Sequence, residues 1–153
     1  MRLPDDTIGQ RWLVYSSAMF LLNFLWESWH AVYFYAAPVE TMRSQLASYR
    51  EFVALISYAS LVDAGLLLAL LLLGVGWWRD WRWYEQMTVA KYAFFVGAAV
   101  VAAAWIEYKA LYLFEQWAYS ELMPTVLGLG LSPLIQLAAT GLVGLWLVRR
   151  VGT

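Results

Sequence analysis

The stretch FVALISYASLVDAGLLLALLLLGVGW, residues Phe52 to Trp77, decides the fold. A helix that crosses a bilayer core needs about 20 mostly apolar residues. This run has that length and carries one charge, Asp63, near its middle. Working outward, three more runs of similar length appear, and the expected spans are about 12–36, 53–77, 88–114 and 124–148. Pro38 closes the first, because proline cannot continue a helix. The segment 39–51 reads either as a short helix lying on the membrane surface or as a solvated loop. In the fourth run, Gly128 to Pro133 predicts a kink or a broken first turn.

Composition agrees. Of 153 residues, 63% are hydrophobic and 14% charged, against about 25% charged in soluble domains. The expectation is an all-α integral membrane four-helix bundle forming a single domain over 1–153. Ten Trp and ten Tyr suit interfacial belts, and Trp77 to Gln86, with its alternating Trp and Arg, reads as such an anchor. The net charge of −1 gives no footprint for nucleic acid. The absence of Cys excludes disulfides, thiolate metal sites and iron–sulfur clusters. The opening MRLPDDTIGQRW has acids where a signal peptide's basic region would stand, so the first run is expected to persist as a mature helix.

Orientation follows from Lys and Arg. Four spans place Arg2, Arg11, Arg79, Arg82, Lys91, Arg149 and Arg150 on one side, and Arg43, Arg50 and Lys109 on the other. Both termini are therefore expected in the cytoplasm, with the chain in a cell (inner or plasma) membrane. Ala98, Ala99, Ala102 and Ala103 would let a neighbouring helix approach closely. Trp26-x-x-x-His30-Ala-Val-Tyr33 and Trp105-x-x-x-Lys109-Ala-Leu-Tyr112 look alike, a match short enough for chance in so aromatic a chain.

The functional clue is polar. Asn23, Glu27 and His30 fall in the first run, Asp63 in the second, Glu107 in the third and Gln136 in the fourth. A charge in hydrocarbon costs about 2.5–3.5 kcal/mol on insertion scales, so such residues face a cavity or a partner. Spacing i, i+4, i+7 puts Asn23, Glu27 and His30 on one helix face. Counted from the expected span ends, Glu27, Asp63, Glu107 and Gln136 lie at similar depth. One cluster is expected.

Acids crowded in low dielectric do not all ionise together, so one can donate a proton while another accepts one. Glu27, His30, Asp63 and Glu107 are the candidate catalytic residues. Asn23, Trp26, Trp29, Trp105 and Gln136 are the candidate ligand contacts, the indoles offering π-faces to a cationic centre. This equipment suits binding, or isomerisation, hydration or cyclisation, of an isoprenoid- or sterol-like molecule. A non-catalytic accessory subunit of a larger membrane complex, or an oligomeric proton- or cation-coupled transporter, are the alternatives. No cofactor is required. Glu27, His30, Asp63 and Glu107 could ligate one hard metal ion, and the single His could ligate one pigment or haem. Glu27-x-x-His30 has di-iron spacing, but such sites need two copies of that motif. Expected partners are membrane lipid, a lipophilic small molecule, and a second copy or a larger membrane complex.

Overall fold

The computed structural model describes residues 6–36 and 49–151. Among them are four α-helices: α1 (Asp6–Tyr33), α2 (Tyr49–Trp78), α3 (Val89–Tyr108) and α4 (Leu131–Val151). Four two-residue strands gather between them: β1 (Tyr35–Ala36), β2 (Ala118–Tyr119), β3 (Thr125–Val126) and β4 (Leu129–Gly130). β1 pairs antiparallel with β2, which brings the C-terminal ends of α1 and α3 together. Ser120 strengthens that junction, its N–H donating to Phe34 O and its hydroxyl to Tyr33 O. At the opposite end, Arg11 near the start of α1 pairs with Glu85, just past α2. Successive helices therefore alternate in direction. α1 packs against α2 and α4, α4 also against α3, and α2 meets α3.

Local signals explain the boundaries. Thr88 caps α3 by accepting from Lys91 N–H. Arg79, at φ 53°, stops α2 in the left-handed conformation common past helix ends. α3 does not stop cleanly. It loosens into a π turn, Lys109–Leu113, and Glu115 at φ 47° ends it. Such wide turns often sit beside functional groups.

Three helices are long and apolar enough to cross a membrane: Arg50–Trp78, Val89–Leu113 and Leu131–Arg150. α1 is not among them. Its 28 residues give ample length, but Arg11, three serines, Asn23, Glu27 and His30 dilute its apolar character. The expected fourth span starts too early at 124. Residues 125–130 fold into a β3–β4 hairpin whose tip, Leu127 (φ 53°) and Gly128 (φ 80°), lies in the left-handed region, and the helix begins at Leu131. The loop expected after α3 contains β2. The surface helix considered for 39–51 falls mostly outside the described residues, and Tyr49 to Glu51 belong to α2.

The core fills the half of the bundle away from the strands. Tyr15, Met19, Leu67, Leu71, Phe95, Leu145 and Val148 are buried there. Small residues make the packing close. Ala99 and Ala103 are buried on α3, and a Cβ on Gly141 would meet Phe95 Cζ at 2.6 Å. The aromatic segment after α2 departs from a simple interfacial anchor. Trp77 is exposed, but Trp83 and Tyr84 are buried. The chain reverses at Arg79 and carries Trp83 back under α2, where its indole N–H donates to Leu71 O at 3.0 Å and its ring stacks on Trp78.

Gly74 makes room for that ring, since a Cβ there would stand 2.3 Å from Trp83 Cε2. Gly74→Ala is expected to cost about 1–3 kcal/mol by overpacking, or roughly 2–4 °C of melting temperature per kcal/mol for a chain of this size. Gly65, with nothing within 4 Å of its added Cβ, is the control. Gly65→Ala should be neutral or stabilise by up to about 1 kcal/mol. Thermal unfolding followed by circular dichroism compares the two.

Candidate functional site

The site is built on one side-chain amide. Gln136 lies in the second turn of α4 and is buried. Its Nε2 donates toward Glu27 Oε1 (2.7 Å), Asp63 Oδ2 (2.8 Å) and Asn23 Oδ1 (3.2 Å). One amide nitrogen thus gathers groups from α1 and α2 onto α4. Asn23 is fully buried and anchored in turn, its Nδ2 donating to Met19 O at 2.8 Å. Thr140, one turn along α4, has its hydroxyl 3.3 Å from Asn23 Oδ1 and 2.9 Å from Gln136 O.

The donor count is short. An amide NH2 has two hydrogens, and three oxygens surround it. Two of those oxygens belong to carboxyl groups, and like charges so close in low dielectric repel strongly. Protonation of one of the two acids would relieve both problems.

Glu107 is buried on the α3 face formed by Phe95, Ala99 and Ala103. It lies near enough to Glu27 and Asp63 for their charges to interact, but its bonds run elsewhere. The Tyr119 hydroxyl on β2 donates to Glu107 Oε2, and the Trp117 indole stands beside the same carboxyl. Gly130 N–H donates to the Tyr119 oxygen at 2.7 Å. Burial, and then the neighbouring Glu107, push the Tyr119 phenol above its ordinary value, so it stays the donor. Gly130 is required here, because a Cβ would meet Tyr119 Cζ and Oη at 2.9 Å.

The other expected site residues divide. His30 is buried on the α1 stripe one turn beyond Glu27, its ring edge-on to Phe34 at 5.4 Å. Trp26 and the half-exposed Trp29 line a groove of about 390 Å³ between α1 and α4, with Leu22, Leu25, Ala139, Thr140 and Val143. Thr140 belongs to both groove wall and polar network. Trp105 lies elsewhere. It is 57% exposed, stacks on Tyr108 and carries Lys109 Nζ 5.8 Å above its ring. Two residues from Glu107, it projects from the opposite face of α3. Among the described residues, no three His, Asp or Glu side chains converge as a metal ion would need. Thr140 and Tyr119 join the site without having been expected there. Thr140 follows Gln136 at i+4, which a search for hydroxyls on the Gln136 face would have found. Tyr119 is set by strand pairing, which leaves no periodic trace.

Comparison with protein-family models, curated proteins and solved structures finds no match.

The donor shortage predicts an asymmetry. Asp63→Leu leaves two acceptors for two amide hydrogens, and should fold with unchanged or higher stability, since replacing buried charged groups by apolar ones is often neutral or stabilising. Gln136→Leu removes the amide donor from Glu27, Asp63 and Asn23, of which Asn23 keeps Thr140, and should cost about 1–3 kcal/mol for each group left unsatisfied. The double variant should be more stable than the sum of the single effects by about 0.5–3 kcal/mol. Thermal unfolding of the four proteins measures this, and strict additivity would refute the shared amide.

Proposed function

We propose that this chain is a four-span membrane protein that binds a lipophilic small molecule of isoprenoid or sterol type and transforms it by acid–base chemistry at Glu27 and Asp63. The observation that carries the reading is the convergence of two carboxyl groups from different helices on one amide, beside an apolar groove. Three helices have the length and composition to span. α1 would span as the fourth by turning Asn23, Glu27 and His30 to its partners rather than to lipid. The arginine distribution supports a cytoplasmic location for both termini and the strand-free end.

The chemistry needs no metal. An isomerisation moves a double bond by adding a proton to one carbon and removing one from another. The protonated acid of the pair supplies the first and the ionised acid takes the second, so the pair ends with the proton exchanged and is ready for the reverse turnover. Gln136 Nε2 stands at hydrogen-bond distance from both acids. The Trp26 indole on the groove wall would face the cationic carbon formed between the two steps. The groove volume of about 390 Å³ falls within the common range for small-molecule sites, about 300–1,000 Å³.

A second reading, a non-catalytic subunit of a larger membrane complex, has its own observation. The polar groups close on one another, and the strand-bearing end of α3 with its π turn leaves Trp105, Tyr108 and Tyr112 exposed.

One measurement separates these. Mass spectrometry of small molecules extracted with the purified protein should find one neutral lipophile, retained by the native chain and lost in Leu25→Trp, which fills the groove. Copurifying proteins without a lipophile would favour the subunit. For topology, a reporter active only in the cytoplasm should signal when fused at Thr153 and stay silent near Ser44. The reverse pattern would invert the orientation.

A further inference from the structure

The β3–β4 hairpin carries a residue that its own backbone disfavours. Thr125 pairs with Gly130 and Val126 with Leu129, so Leu127 and Gly128 form a two-residue turn. Both have positive φ, 53° and 80°. Such turns favour Asn, Asp or Gly at the first position. In that conformation Cβ crowds the following carbonyl oxygen, and a short polar side chain compensates by bonding locally. Here the position holds a leucine, and it is 97% exposed. Water would penalise the bare side chain as well as the strained backbone. A leucine kept there needs an apolar contact outside the chain.

The surroundings indicate what that contact is. Tyr112 is the last residue but one of the apolar span Val89–Leu113, and its hydroxyl donates to Gly128 O at 3.2 Å. That bond fixes the hairpin tip at the end of the span, against a flank of α3 and its π turn where Tyr112, Leu113 and Phe114 are exposed. Val126, next to the tip, is exposed too. The apolar surface of a spanning helix thus continues onto the hairpin. The same bond supplies the tip carbonyl with a donor from the protein. Backbone polar groups that face lipid need such a partner, because no water is there to replace it.

We propose that the β3–β4 hairpin is an interfacial anchor, its Val126 and Leu127 side chains dipping between headgroups and acyl chains on the strand-bearing side of the membrane. The inference rests on the spanning reading above and is independent of the acid–base chemistry. Interfacial segments bury their apolar residues about 5–10 Å into that boundary, and tyrosines such as Tyr112 gather at the same level. The hairpin runs directly into α4 at Leu131, so the anchor sets the depth at which the helix bearing Gln136 enters the bilayer.

The chain has no cysteine, so a single nitroxide label can be placed by Leu127→Cys, by Val126→Cys or by Val101→Cys. Val101 is exposed in the middle of the span Val89–Leu113 and is the control. The full chain is reconstituted in phosphatidylcholine vesicles. Accessibility to oxygen, which concentrates in hydrocarbon, is compared with accessibility to a water-soluble nickel chelate. The labels at 127 and 101 should both favour oxygen. A label at 127 that favours nickel while 101 favours oxygen overturns the anchor and leaves the span standing. Nickel at both positions overturns both. A label at 127 closed to both reagents means that a protein partner or a second copy covers the tip, and overturns the lipid assignment. Leu127→Asn supplies a residue that the turn favours. In detergent it should melt at the same temperature or up to about 2–4 °C higher. In vesicles it should move a label at Val126 from oxygen toward nickel. An unmoved Val126 label would mean that the leucine contributes no anchorage, and overturns the proposal.

Discussion

The structure depends on an amide with more acceptors than hydrogens. Gln136 Nε2 holds Asn23, Glu27 and Asp63, and thereby ties α4 to α1 and α2 at one level. Apolar packing alone would let helices slide or rotate against one another, because one row of Leu resembles the next. A buried polar contact has few alternative partners, and its loss leaves groups unsatisfied at a cost of about 1–3 kcal/mol each. The same contact that fixes register places two acids side by side. Fold and candidate chemistry thus share one constraint, and the groove at Thr140 is where that constraint meets the surface.

Below this level the bundle is built for closeness, and above it for polarity. Gly141 and Gly144 admit Phe95, Leu67, Met19 and Tyr15 to the α4 backbone, and Trp83 closes the far end under α2. The strand-bearing end holds together by hydrogen bonds instead: β1 with β2, Ser120 with Phe34 and Tyr33, and Tyr119 between Glu107 and Gly130. One half offers an apolar floor, the other a hydrogen-bonded cover that reaches Glu107.

Length and composition made the helices legible, because a nearly unbroken apolar run such as Phe52 to Trp77 has the length of a spanning helix. Periodicity made the Asn23–Glu27 stripe and its meeting with Asp63 and Gln136 legible, since spacing and rise are fixed by helix geometry. Glu107 was expected in the same cluster but bonds to Tyr119, a partner that the β1–β2 pairing brings near. The start of α4 was misread because hydropathy does not distinguish a Leu in a hairpin from a Leu in a helix. Leu127 is 97% exposed at the hairpin tip. Trp105 was grouped with the site as a π-face for a cationic centre, whereas its place two residues from Glu107 turns it half a turn away.

The most direct measurement is solid-state NMR dipolar recoupling in lipid bilayers, between ¹⁵N in the Gln136 side-chain amide and ¹³C in the Asp63 carboxyl. With Nε2 at 2.8 Å from Asp63 Oδ2, the account predicts strong recoupling, lost on Gln136→Leu. Recoupling of the Gln136 amide to Asn23 but not to Asp63 would contradict it, because α2 would then carry its acid somewhere other than the shared amide.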